Sequence, residues 1–290
     1  MAISICVPTY NRLPYLKKFI ESTREGIGDY PYEIIVSDGG STDGTIEYCK
    51  KQKDVILVEI GKLTGCVKAY NAGFPKAKYE YIFWPSDDFT VDSKVLIKCC
   101  NLMDKYPEIG LVSPKMIEST RSNYPNLGKH HGLLTSRTHI FRSTTLKKIG
   151  FLDEHFKTYH PDSDSHFSVL NLGYVTIFSR EVGVIHTRLH DEVRQSNVGY
   201  DEKIEEYYNN KWKEFTRNLD EYSAPLKRIW AKIFFYIRKI LHFRLLQPLM
   251  KRQIPIFVNI YDWVLQQRVV FKAKEFDNLK DFYLAQKLPK

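Results

Sequence analysis

The chain's 290 residues suffice for one large domain with an appendage or for two modest domains, and 43 basic against 34 acidic residues leave a charge of +9 that suits anionic partners: nucleic acid, phosphorylated substrates or an acidic membrane surface. The five cysteines (Cys6, Cys49, Cys66, Cys99, Cys100) are odd in number and carry no CxxC or zinc-like spacing, which argues against a disulfide framework and reads as reduced cytosolic thiols. The opening MAISICVPTYN lacks a basic n-region, and no run of about 18 uncharged apolar residues occurs, so neither a signal peptide nor a transmembrane helix is expected.

Ile3 to Thr9 (ISICVPT) is a short, apolar, β-branched run, as a buried parallel strand requires. Pro14 opens a predicted helix to about Arg24, proline being suited to a first turn. Glu33 to Asp38 reads as a second buried strand. It breaks into the glycine-rich turn GGSTDGT, where Thr42 or Asp43 is placed to cap a helix reaching about Lys51. Val55 to Ile60 is the third strand, and Thr64 to Phe74 is helical. Tyr79 to Trp84 is the fourth strand, ending at Pro85-Ser86-Asp87-Asp88. Ser93 caps another predicted helix to Lys105, and IGLVSP is a fifth strand. Residues 115–200 are less regular. Gly132 to Arg142 reads as strand and turn, TTLKKIG as a short helix ending at Gly150, and Asp162 to Leu172 as a helix; GYVTIFS and GVIH are strands, the latter ending at His186. From about Asp201 long, aromatic, basic helices are expected. The chain therefore divides into a domain over 1–218 and a helical region over 219–290.

Strands alternating with helices of this length specify an α/β fold with a doubly wound sheet. In such sheets ligands bind beyond the carboxyl ends of the strands. Thr9-Tyr10-Asn11, Asp38-Gly39-Gly40 and Asp87-Asp88 all lie at such ends. Adjacent carboxylates at Asp87 and Asp88 repel each other unless a cation is present, and Mg²⁺ or Mn²⁺ takes oxygen ligands that it shares with a diphosphate. The same pair is equally compatible with a solvated loop. Asp38, beside its glycine-rich turn, can accept a hydrogen bond from a nucleobase ring N–H or close an Asx-turn. No GxGxxG follows the first strand and no GxxxxGK[ST] occurs, which argues against NAD held as in a Rossmann dehydrogenase and ATP held in a P-loop.

The order ISICVPTYNR, EIIVSDGGSTDGT, Asn71-Ala72-Gly73 and YEYIFWPSDD resembles the family-2 glycosyltransferases of the GT-A fold, over roughly residues 3 to 190. The resemblance implies a Rossmann-like, doubly wound mixed sheet, a nucleotide-sugar donor that is usually a UDP-sugar, and inverting transfer. Position by position, it places Pro8, Thr9, Tyr10 and Asn11 on the base and ribose, Asp38 on the base, and Lys68 near the donor phosphates. It makes Asp87 and Asp88 the acidic motif that holds Mn²⁺ or Mg²⁺ against the donor, with Asp88 the direct ligand and His186 a further one. Pro85 stands where the family often has the first Asp of Asp-x-Asp-Asp, so the motif is shortened. In KKIGFLDEHFKTYHPDSDSHFSVLNLGY, Asp162 matches the family's general base. Pro161 replaces the Glu before it, which keeps Asp164 in competition. Helix capping by Asp162 is compatible with the same role. The segment TRLHDEVRQSN, with Arg188, His190 and Arg194, is placed either to close over the diphosphate or to be a solvated charged loop.

Pro225 to Leu246 sets Ile229, Ile233, Ile237, Ile240 and Leu241 on one helical face and Lys227, Arg228, Lys232, Arg238 and Lys239 on the other. Such a helix suits an anionic membrane surface, or packs its apolar face on the first domain or on a partner subunit of a homo-oligomer. Ile254 to Val270 contains Pro255, Asp262 and Arg268 and is no clean span. Membrane contact fits a saccharide or polyprenyl-linked acceptor, polysaccharide or glycoconjugate synthesis, and a cytoplasmic protein peripheral to the inner face of its membrane. No recognised nucleic-acid motif is present, so nucleic acid is not expected as a partner. Two rivals stand. A nucleotidyltransferase making activated sugars would carry a basic glycine-rich loop after the first strand, unlike PTYNRLPY. A degenerate, non-catalytic nucleotide-sugar-binding scaffold is left open by Pro85 and Pro161.

Overall fold

A computed structural model of the chain describes residues 2–187, apart from 120, 126, 131, 132 and 158, together with 201–217 and 283–286. The first half alternates as expected: β1 (Ile3–Thr9), α1 (Leu13–Ile27), β2 (Tyr32–Asp38), α2 (Thr45–Lys50), β3 (Val55–Glu59), α3 (Cys66–Gly73) and β4 (Tyr81–Trp84). Then come β5 (Phe89–Val91), α4 (Ser93–Lys105), β6 (Ile109–Glu118), β7 (Arg121–Pro125), β8 (Leu127–His130), β9 (Leu133–Ser136) and β10 (His139–Arg142). α5 (Ser143–Lys148), α6 (Pro161–Asn171) and β11 (Val175–His186) follow, then a helix α7 over 202–217 and the strand β12 (Tyr283–Gln286).

The main sheet runs β12-β11-β6-β10-β4-β1-β2-β3, with β5 paired to β11 and β7 to β6; β8 and β9 form a separate hairpin. β1 is parallel to both β2 and β4, whereas β10 is antiparallel to β4 and β6. The sheet is therefore mixed. Two-residue alternation sends Ile3, Ile5, Val7, Tyr81 and Phe83 to one face, where they pack on α1 and α4 through Leu16, Phe19, Leu96 and Met103. Cys6, Ile35, Ile82 and Trp84 face the other way, onto Val67, Tyr70 and Phe74 of α3 and its extension, Leu146 of α5 and Val169 of α6. Helices on both faces make the sheet doubly wound.

Several details differ from the sequence reading. Asp92, not Ser93, caps α4 by accepting from the Lys94 N–H; Ser93 instead donates to the Thr23 carbonyl at 2.6 Å. α2 begins after Gly44 in the left-handed region with no side-chain cap. Asp43 nevertheless sits over the helix start, accepting from the Thr45 N–H and hydroxyl, and it also accepts from the Leu13 N–H that opens α1. GYVTIFS and GVIH are one bulged strand. Within the region expected to be helical, Tyr283–Gln286 form a strand antiparallel to β11. The segments 188–200, 225–246 and 254–270 lie outside the described residues. Among the described residues no helix is long and apolar enough to cross a membrane.

α7 packs on α6 through a third cluster of Phe156, Phe167, Leu170, Tyr208 and Trp212. Polar contacts fasten it at the same place. The Asp153 carboxylate accepts from Lys211 Nζ at 2.7 Å and from the Tyr207 hydroxyl at 2.8 Å. Partial burial alone would push the Asp153 carboxyl up, but hydrogen bonds from Lys211, His155 and Tyr207 outweigh it and hold it well below the usual range. A depressed folded-state pKa contributes stability above the unfolded value of about 3.9 and loses it as pH falls through the folded value. Asp153→Asn is therefore expected to lower stability at neutral pH and to flatten its decline on acidification. Urea midpoints measured from pH 7 downward check this; parallel curves for the two proteins would contradict it.

Candidate active site

Three strand ends share one rim, because Thr9 lies beside Asp38 in the β1–β2 register and β4 runs parallel on the other side of β1. Asn11, at φ 49°, turns the chain out of β1. Its N–H donates to Ser41 Oγ at 2.8 Å, and its Oδ1 accepts from the Thr42 N–H at 2.7 Å. The Gly39 N–H donates to the Thr9 carbonyl at 3.0 Å. The PTYN and GGST segments are thus one interlocked unit, with Pro8 and Tyr10 half-buried, Thr9 buried and Asn11 exposed.

Asp38 sits inside the turn. It has no exposed surface; Oδ1 accepts from the Gly40 and Ser41 N–H groups at 2.8 Å, and Oδ2 accepts from the Ser41 hydroxyl at 2.5 Å. The carboxylate shapes the turn as an Asx-turn would. Gly40 has φ +90°, and a Cβ there would stand 2.8 Å from the Gly61 carbonyl. Gly40→Ala combines left-handed strain with a backbone clash and is expected to cost about 1–3 kcal/mol. Thermal melting reads this out; a variant melting with the wild type would show that the turn relaxes freely.

At the end of β4, the Tyr70 hydroxyl donates to the Pro85 carbonyl at 2.7 Å. The next two carboxylates then part ways. Asp87 accepts from Thr9 Oγ1 at 2.9 Å and from Arg12 Nη1 at 3.0 Å. Burial pushes its carboxyl up to about 6, Arg12 opposing and the Asp88 charge assisting. Asp88 Oδ2 lies 3.2 Å from His186 Nε2. Burial would raise Asp88 too, but His186, with help from Ser86 and Arg12, outweighs it and holds the carboxyl below the usual range. β5, which the sequence reading omitted, makes this meeting: Phe89 pairs with His186, and the Thr187 N–H donates to the Asp88 carbonyl at 2.9 Å. Asp88 Oδ1 and His186 Nδ1 are both buried without a hydrogen-bond partner.

Of the expected metal ligands, Asp88 and His186 therefore stand together, while the Asp87 side chain is engaged by Thr9 and Arg12. Among the described residues no group of three or more His, Cys, Asp or Glu is arranged to hold a metal ion. The orphaned, buried Asp88 Oδ1 fits a hard cation, since it is an anionic oxygen with unused lone pairs. A cation held there would draw its remaining ligands from the substrate or from water.

α6 carries the candidate bases. Asp162 is half-buried in the first turn, and its Oδ1 accepts from the Ser163 N–H at 3.0 Å. Asp164 is buried, and its Oδ1 accepts from Trp212 Nε1 and Lys211 Nζ, each at 2.8 Å. Burial raises the Asp164 carboxyl despite Lys211. Asp164 is thus a tether to α7, whereas the Asp162 carboxylate is taken up by no other side chain among the described residues. Lys68 is exposed on α3. Sequence reasoning missed Arg12, visible at the end of PTYNR, and missed Tyr70 and Trp212, whose partners are remote in sequence.

The glycosyl transferase family 2 profile matches residues 4–167. The chain belongs to this family. An uncharacterized glycosyltransferase of Rickettsia typhi is 31% identical over 243 residues, 75% of this chain and 72% of that protein. The poly(ribitol-phosphate) beta-N-acetylglucosaminyltransferase TarS of Staphylococcus aureus is 25% identical over 165 residues, 51% of this chain and 28% of TarS. A crystal structure of TarS with UDP-GlcNAc superposes with TM-score 0.57 at 20% identity, covering 69% of this chain and 62% of that one. A mannosyltransferase from Pyrobaculum calidifontis, in complex with GDP-Man and Mn²⁺, gives 0.54 at 18% identity, covering 95% and 87%. The chain spans less than two thirds of those TarS chains. At such identities the structures speak for the fold: the mixed sheet is the GT-A fold implied by the sequence. Family membership makes the protein a glycosyltransferase.

Proposed function

We propose that this glycosyltransferase moves a sugar from a nucleoside-diphosphate sugar, with UDP as carrier, to a saccharide or lipid-linked saccharide by a single inverting displacement. The observation that carries the reading is Asp88, a buried carboxylate at the strand-end rim with one oxygen facing His186 and the other unpartnered. Asp88 and His186 would hold Mn²⁺ or Mg²⁺, which supplies charge neutralisation to a leaving diphosphate. The neighbours TarS, bound to UDP-GlcNAc, and the Pyrobaculum mannosyltransferase, bound to GDP-Man and Mn²⁺, support a nucleotide-sugar donor and a divalent cation.

The chain's own residues divide the remaining work. Pro8, Tyr10 and Asn11, locked to the GGST turn, offer the accessible surface for base and ribose. Arg12 holds Asp87 in place, so that the negative charge open to a donor site is concentrated at Asp88. Asp162 takes the proton from an acceptor hydroxyl as its oxygen bonds to the anomeric carbon and the bond to the diphosphate breaks. A thermal-shift screen of UDP, GDP and their sugars, with and without Mn²⁺, tests the donor. Stabilisation by UDP that requires Mn²⁺ is expected. An equal shift without metal would remove the cation from the reading, and a shift by GDP alone would change the carrier. For the segment 225–246 we propose contact with the anionic inner face of the cytoplasmic membrane. Replacing Lys227, Arg228, Lys232 and Arg238 with Glu in the full chain should reduce co-sedimentation with anionic liposomes, and unchanged binding would discard the idea.

A further inference from the structure

Beneath the first turns of α6 lies a buried polar cluster that the proposed chemistry does not use. Ser113 on β6, His139 on β10 and His166 on α6 are each at most 1% exposed. Ser113 Oγ is 3.2 Å from His139 Nδ1 and 3.5 Å from His166 Nε2, and the Ser136 N–H points to His166 Nε2 at 3.4 Å. The two imidazoles meet edge to face with centroids 4.5 Å apart. His166 stacks on Phe178, and His139 meets Trp84 edge to face at 5.0 Å. Trp84 is the last residue of β4, just before the turn that carries Asp87 and Asp88. Burial drives the His139 imidazole down to about 3, against the pull of backbone groups of Thr138 and Asp162, so the ring is neutral.

Placing two imidazoles and a serine hydroxyl in this interior costs free energy that a leucine or phenylalanine would not. His139 Nε2 is left without a hydrogen-bond partner, so the cluster is retained at a cost; what its Nδ1 contact to Ser113 and its ring packing on His166 and Trp84 supply is directional rigidity. α6 needs it, because it starts from His160 in the left-handed region, at φ 73°, with no capping side chain. Its outer side is held by α7, through Asp164 and through His160, whose Nε2 lies 2.8 Å from Glu205. Its inner side is held by the imidazole cluster. We infer that His139 is a positioning residue for transfer: its ring joins β4 to the start of α6 and sets the Asp162 carboxylate relative to the Asp88 site. This rests on the reading of Asp162 as the base.

Steady-state kinetics of the full chain test it. His139→Phe fills the space of the ring and removes both nitrogens, while His139→Asn returns a polar group near Nδ1. The Phe variant is expected to lose about tenfold or more in kcat, since small displacements of a reacting group carry losses of that order. Its donor KM is expected to stay within about twofold of wild type, with part of kcat regained by Asn. An unchanged kcat overturns the inference, as does a fall in which kcat, donor affinity and melting temperature decline together. If His139→Phe fails to fold, Ser113→Ala, which removes one hydroxyl, is held to the same split. In an Asp162→Asn background, His139→Phe should add little, because both act at one carboxylate; losses that multiply overturn the inference. Wild-type turnover by Asp162→Asn alone would instead sink the reading of the base, which separates the two failures.

Discussion

Asp88→Asn is expected to lower transfer by about two to three orders of magnitude while the protein melts within a few degrees of wild type. The substitution keeps the volume and leaves an acceptor for His186, so the packing of Phe89 against the imidazole persists. It removes the negative charge and makes one of the two oxygens an amide nitrogen, which no cation can use. Assays of transfer and of donor hydrolysis under saturating Mn²⁺ measure the effect; near-wild-type rates would remove Asp88 from the site. Asp87→Asn is a different experiment. Its carboxylate is bound by Thr9 and Arg12, and losing the charge leaves the Arg12 guanidinium, 14% exposed, without this anionic partner. A drop in melting temperature is therefore expected alongside any drop in rate.

Asp162→Asn should reduce kcat by about two to four orders of magnitude, the range that general-base catalysis supplies. Nucleotide binding should be spared, because the side chain lies on α6 and not in the interlocked turn at β1 and β2. Asp164→Asn is expected to act on stability instead, since Trp212 and Lys211 would lose a charged acceptor. Comparing nucleotide titrations, kcat and urea midpoints for both variants separates the roles. If Asp164→Asn abolished turnover at full stability, the base would move to that residue.

Why some of this was legible in the sequence and some not follows from the range of the interactions. Ile3 to Thr9 and Glu33 to Asp38 are buried on both faces, so apolarity alone marks them, and the strand-end polar clusters fall where a parallel sheet exposes them. β5 has three residues and only a pairing with β11 to define it, so no local pattern announces it. The capping of α4 was misplaced by one residue because serine and aspartate compete as caps, and Ser93 is taken by the Thr23 carbonyl 70 residues away. Residue type and a place at a strand end leave Asp38 open to a nucleobase or to an Asx-turn; only the folded turn shows the hydrogen bonds it accepts from Gly40 and Ser41. Asp164 competes with Asp162 in the sequence because the residue that engages it, Trp212, lies 48 residues further on. His139 and His166 carry no motif, and their significance arises only when β6, β10 and α6 fold together.

The pairing of β12 with β11 bears on how the protein can be handled. Thr176 to Ser179 are matched by Gln286 to Tyr283, so this late segment seals the outer margin of the sheet along the first half of β11. Trimming the chain at residue 218 to isolate the glycosyltransferase unit would strip that seal and leave unpaired N–H and C=O groups as a template for another molecule. Precipitation of such a fragment would report an adhesive strand and carry no information about membrane affinity. Re-attaching residues 283–286 through a flexible linker is the remedy to try, and recovery of a monodisperse fragment would show that these few residues act as a solubility device.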